Sequence, residues 1–133
     1  VSGGELSRIS LAIQIVAAEH SKIPTLVLDE VDVGIGGATA EIIGRLLKKL
    51  GSISQVITIT HLPQVASHAN NHYVARKQKL HSEKISTTLT LLNDEDRVEE
   101  ISRMLGGINI TEKTRGHAHE MLALAQEIKP ELL

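Results

Sequence analysis

Apolar positions along this chain change their spacing several times, and each change predicts a new element. Leu6, Ile9, Ile13 and Val16 recur at helical intervals, so Glu5 to about Ser21 reads as an amphipathic helix stopped by Pro24. Thr25 to Leu28 is a short, mostly apolar run bounded by breakers, the pattern of a buried parallel strand. A loop holding Gly34, Gly36 and Gly37 follows. A second helix runs from Ala38 to Leu50, with Ile42, Leu46 and Leu50 on one face and Gly51 at its end. Gln55 to Thr60 is a second strand, broken by His61-Leu62-Pro63. Strand, helix, strand over this distance is a βαβ crossover, expected to be right-handed.

The pattern then changes character. A short helix is expected from Pro63 to about His68, followed by two strands near 72–79 and 84–92. In the second of these, Ile85, Thr87, Leu89 and Leu91 alternate with Ser86, Thr88 and Thr90, the mark of a half-buried antiparallel strand. Val98, Ile101 and Leu105 mark a further helix closed by Gly106-Gly107. A last helix runs from about Thr111 to Ile128, with Pro130 beyond. The whole reads as one α/β unit, parallel at its start and antiparallel later, without repeats or linkers.

Composition narrows the function classes. The hydrophobic fraction of 41% suffices for a core, but Tyr73 is the sole aromatic, so that core must be aliphatic. Without Cys, disulfides and thiolate metal sites are excluded. The formal charge of -2 offers no basic footprint for nucleic acid, and one aromatic offers no stacking platform. Any main DNA contact is therefore expected outside this chain. No secretion signal and no bilayer-length apolar run occurs, which points to a cytoplasmic protein with no membrane partner.

Three short stretches carry candidate chemistry. Asp29-Glu30 closes the first strand, at the C-terminal edge where α/β proteins place ligands, and its two carboxylates alternate in direction. One could hold Mg²⁺ through water while the other faces an attacking water. His61 follows the next parallel strand and so shares that edge, within reach of a phosphate oxygen; capping a loop backbone group is its plainer reading. Ser2-Gly3-Gly4-Glu5 has the spacing of a capping box, but a cap needs no glycines between its ends. Those glycines let backbone N–H groups approach a phosphate at a helix N-terminus. His68 and His72 have metal-ligand spacing, but Asn70-Asn71 ends their helix and no carboxylate is expected nearby. The acidic run Asp94-Glu95-Asp96 reads as first-turn charge favouring the helix dipole.

Together these stretches resemble a known family. Ser2-Gly3-Gly4-Glu5-Leu6-Ser7-Arg8 is similar to the signature motif of ABC-type ATPases, Leu26 to Glu30 to their Walker B strand, and His61 to their switch histidine. The run Asp29-Glu30-Val31-Asp32-Val33-Gly34-Ile35-Gly36-Gly37, with Thr60 to Ala66 and Met104-Leu105-Gly106-Gly107, resembles the RecN-type DNA-repair ATPases, relatives of the SMC proteins. The resemblance covers nearly the whole chain. It implies the C-terminal lobe of a P-loop NTPase head of ABC-ATPase type over residues 1–133. It further implies ATP hydrolysis, with Mg²⁺ held by Asp29 through water, Glu30 polarising the attacking water and His61 touching the γ-phosphate. Ser2, Gly3, Gly4 and Glu5 would meet the ATP of an opposite head in a homodimer. Asp32, Gly34 and Gly36 would form the D-loop that crosses the dimer, where many ABC proteins carry an Asp near Gly36.

No Gly-x-x-x-x-Gly-Lys-Ser/Thr motif occurs, so the Walker A lobe and the coiled coil of such proteins are expected to lie elsewhere in a longer protein. This chain alone is expected to be inactive. DNA would be reached through the full-length protein, in double-strand-break repair and recombination. Two other readings stand beside this one: the nucleotide-binding domain of an ABC transporter, and a non-catalytic dimerisation module.

Overall fold

The computed structural model describes residues 3–29, 34–81 and 83–127. Nine elements follow in order: α1 (Gly3–Ser21), β1 (Thr25–Asp29), α2 (Gly37–Leu50), β2 (Gln55–Ile59), α3 (Pro63–Ala66), β3 (Tyr73–Lys79), β4 (Ile85–Leu91), α4 (Asp94–Gly106) and α5 (Glu112–Glu127). β1 and β2 pair in parallel, and β3 and β4 form a separate antiparallel pair. The expected α/β architecture, parallel pair then antiparallel pair then two helices, is the one observed.

Two apolar clusters hold these elements together. The first joins Leu11 and Ile15 of α1, Leu28 of β1, Ile35, Ala40, Ile43 and Leu47 of α2 and its approach, and Val65 of α3. The second joins Ala66 of α3 to Ile101 of α4 and Ala118 of α5. The short helix α3 thus contributes a residue to each cluster and sits between them.

Four expectations about facing need correction, the first being the half-buried strand at 85–91, whose Ile85, Leu89 and Leu91 are exposed. On α1 the buried residues are Leu11, Ile15 and Ala18, whereas Leu6, Ile9, Ile13 and Val16 lie on another face and are more than half exposed. The helix carries two apolar stripes, and periodicity alone does not say which one meets the core. On α2 the core face is Ala40, Ile43, Leu47 and Leu50, while Ile42 and Leu46 are exposed on its flank. The strand β1 is buried on one face only: Leu28 is in the core, but Val27, like Ile57 and Ile59 of β2, is exposed. Parallel sheets are ordinarily covered on both faces. Among the described residues the second face has no cover.

Candidate functional site

The parallel register levels the ends of the two strands. Thr25 pairs with Gln55 and Asp29 with Ile59, so β1 and β2 finish side by side. Asp29 is the last residue of β1 and is exposed. Thr60 and His61 leave β2 one and two positions past Ile59, the partner of Asp29. Adjacent strands lie about 5 Å apart, so Asp29 and the segment carrying His61 share one edge. This edge is the geometry the sequence pattern called for.

The segment after β2 is held by local bonds. The Leu62 N–H donates to Thr60 Oγ1 at 3.0 Å, turning the chain just past the strand. Leu62 takes extended backbone angles, as a residue before proline must, and Pro63 opens α3 at a position where a missing N–H costs nothing. His61 is exposed on this turn and is itself engaged with a neighbour.

Close packing fixes α3 against α2. A Cβ on Gly44 would come within 2.5 Å of His68 Cδ2 and 2.8 Å of the Gln64 carbonyl oxygen. Glycine is what lets the two backbones approach. His68 is 3% exposed, and its Nε2 lies 2.9 Å from Glu41 Oε1 on α2. The expectation that no carboxylate lies nearby is corrected here: Glu41, distant in sequence, is the partner of His68. No group of three or more His, Asp or Glu able to hold a metal occurs among the described residues.

Sequence reasoning missed the residue that ties this segment to the second cluster. Arg97 of α4 is buried, and its Nη2 donates to the carbonyl oxygens of Ala66 at 3.1 Å, Ser67 at 3.3 Å and Ala69 at 2.5 Å. Burial lowers the Arg97 pKa, opposed by the charge of Asp94. Neighbouring His72 is also lowered, by burial first and by the Arg97 charge second, with Glu100 opposing. Glu100 in turn is held low, chiefly by its hydrogen bond from Arg103. One signal was available: Arg97 lies four residues before Ile101, on the apolar side of its helix.

The remaining candidates divide as follows. Gly3 and Gly4 occupy the first turn of α1, two residues before the expected start, and Glu5 is exposed beside them with a partner of its own. Gly34 has φ +72°, a left-handed conformation that favours glycine. Gly36 precedes α2 with extended angles and open space where a Cβ would lie. Ser2, Glu30 and Asp32 lie outside the described residues. The Asp29 carboxylate suits Mg²⁺, which keeps several waters and takes other ligands from phosphates.

The arrangement has a known counterpart. A solved structure concerned with the structural biochemistry of ATP-driven dimerization and DNA-stimulated activation of SMC ATPases matches with a TM-score of 0.65. The match covers 82% of this chain and 65% of that one at 18% identity, so the fold is that of the SMC ATPases. No family model matches the chain. Its sequence is similar to the DNA repair protein RecN of Haemophilus influenzae, 50% identical over 123 residues, covering 92% of this chain and 22% of that protein. RecN of Vibrio cholerae is 49% identical over 125 residues, 93% of this chain and 22% of its own length. RecN of Bacillus subtilis is 40% identical over 129 residues, 96% and 22%. The chain is thus similar in sequence to RecN proteins, has the fold of the SMC ATPases, and spans 22% of the length of these relatives. No helix among the described residues is long and apolar enough to cross a membrane.

Proposed function

We propose that this chain is the signature-motif lobe of an ATP-hydrolysing head in a RecN-type DNA repair protein, acting with a second head across a shared ATP. The observation that carries the reading is the level edge of β1 and β2, which sets Asp29 beside the segment bearing His61. Glu30, next after Asp29, orients and polarises the attacking water. His61 donates to the γ-phosphate, and Ser2, Gly3 and Gly4 meet the ATP of the opposite head through the N-terminal turn of α1. Asp32, Gly34 and Gly36 line the loop that crosses between heads. Mg²⁺, held through water by Asp29, neutralises charge on the phosphates.

The phosphate cradle comes from a Walker A lobe outside this chain. That lobe also accounts for the uncovered apolar surface: Val27, Ile57 and Ile59 on the sheet, and Leu6, Ile9, Ile13 and Val16 on α1. Apolar patches of this kind mark contact surfaces rather than solvent faces. DNA is engaged by the full-length protein during double-strand-break repair. As a separate polypeptide the chain hydrolyses no ATP.

The test is Glu30→Gln in the full-length protein. Losing the group that activates water should lower turnover by about 10²-fold or more and leave an ATP-bound head dimer on gel filtration. Wild-type turnover in that variant would remove Glu30 from the chemistry.

A further inference from the structure

The chain's formal charge is -2, yet its cations are unevenly used. Away from β3 and β4 four described cations are neutralised: Arg45 by Glu41, Lys49 by Glu19, Arg103 by Glu100, and Arg115 by Glu99 and Glu112. Arg97 is buried against carbonyl oxygens, and Lys48 donates to the Ala125 carbonyl. The β3–β4 hairpin differs. It carries Arg76, Lys77, Lys79 and Lys84 against a single carboxylate, Glu83 in its turn. Lys77, Lys79 and Lys84 are exposed and enter no ion pair among the described residues. Arg76 points its charge toward α4, where it helps to lower the pKa of Glu100.

Register puts two of these lysines together. Lys77 lies opposite Thr87 and Lys79 opposite Ile85, so both project from one face of the hairpin, about 7 Å apart along β3. Thr87 adds a hydroxyl donor between the strands, and neither strand contains Asp or Glu. The same face also carries exposed Tyr73, Ile85, Leu89 and Leu91, so the cations gather at its turn end, where ammonium groups match phosphate oxygens, which such side chains contact without reading sequence.

We infer that the β3–β4 hairpin is a duplex-DNA contact, with Lys77, Lys79 and Lys84 meeting the phosphate backbone. Tyr73, exposed on this face, is the sole aromatic, and one ring does not stack successive unpaired bases, which favours a duplex over a single strand. The choice of DNA as the polyanion rests on the repair-ATPase reading above. The hairpin reverses the expectation drawn from net charge, because acidic residues elsewhere mask a local excess of positive charge.

The experiment compares the full-length protein with its Lys77→Gln/Lys79→Gln/Lys84→Gln variant, binding a labelled random-sequence DNA duplex across a salt series. Each lysine on a phosphate contributes about 0.9 to the slope of log affinity against log salt, so the triple variant's slope should be shallower by roughly 2.7. Between about 50 and 200 mM salt it should lose roughly 40-fold less affinity than wild type, after starting weaker. A Lys22→Gln/Lys113→Gln control should keep the wild-type slope. Turnover of ATP without DNA should be equal in all three proteins. An unchanged slope in the triple variant overturns the inference. So does equal loss in the control, or lysine-dependent binding to phosphatidylglycerol vesicles with none to DNA. Failure of the ATPase reading would appear separately, as absent basal turnover in the wild-type protein.

Discussion

Replacing Arg97 by Met keeps the length of the side chain and removes its donors, so it isolates what the guanidinium does for the segment after β2. A single nitrogen, Nη2, faces the carbonyls of Ala66, Ser67 and Ala69 with two hydrogens to share, so two effective bonds is the proper count. Bonds from a charged donor contribute about 1.5–3 kcal/mol each, and buried carbonyls left unpaired cost a similar amount. Against this, Arg97 Nε is buried without a partner, and burial itself disfavours the charged form. Relief of that desolvation offsets part of the loss, which leaves a net cost of about 2–4 kcal/mol. The cost should be local. The amides of Val65, Ala66 and Ser67 bond back to Leu62 and Pro63, and their opening requires α3 to lift from the carbonyls Arg97 holds. Hydrogen exchange of a peptide spanning 62–69 should therefore speed up by roughly 30- to 10³-fold, while exchange in β1 stays near wild type. Unaltered protection of 65–67 would show that Arg97 does not anchor this segment.

Two further outcomes follow from the same packing. Gly44→Ala gains about 1 kcal/mol of helix propensity but places a Cβ 2.8 Å from the Gln64 carbonyl oxygen, which is backbone and cannot swing aside. Overpacking of this kind costs about 1–3 kcal/mol, so the urea midpoint should fall, and a rise would mean α2 and α3 are not in close contact. His72 titrates below its ordinary value of 6.5 because burial, then Arg97, disfavour its charged form. Between the folded and unfolded values the unfolded chain binds more protons, so its contribution to stability is present above pH 6.5 and is lost as pH falls. A His72→Gln variant should lose less stability than wild type on acidification; an equal or steeper loss would contradict the assignment.

Much of the fold was readable in the sequence because element type depends on local period. The alternation from Ile85 to Leu91 and the run from Thr25 to Leu28 each appear as strands, and helix ends fall within a few residues of Pro24, Gly51 and Gly107. What local period does not fix is which face meets the core. Leu6, Ile9, Ile13 and Val16 have the spacing of a buried stripe, and Leu11, Ile15 and Ala18 have it too. Only packing of the whole chain chooses between them. The level strand ends that carry the candidate site were legible because Asp29 ends one parallel strand and His61 follows closely on the other. Arg97, Glu41 and Gly44 were not, since each works on a residue more than 15 positions away in sequence.

The central claim is that Ser2-Gly3-Gly4 serves the ATP of the opposite head while Glu30 serves its own. Mixing two inactive full-length variants, Ser2→Arg and Glu30→Gln, tests it directly. In a mixed dimer one site joins the intact Glu30 of the first variant to the intact signature turn of the second, and the other site carries both defects. Random pairing makes half the dimers mixed with one working site in two, so ATP turnover should return to about a quarter of wild type although neither variant is active alone. If the mixture stays as inactive as its components, Ser2 and Glu30 act on the same head's ATP and the shared-site account is wrong.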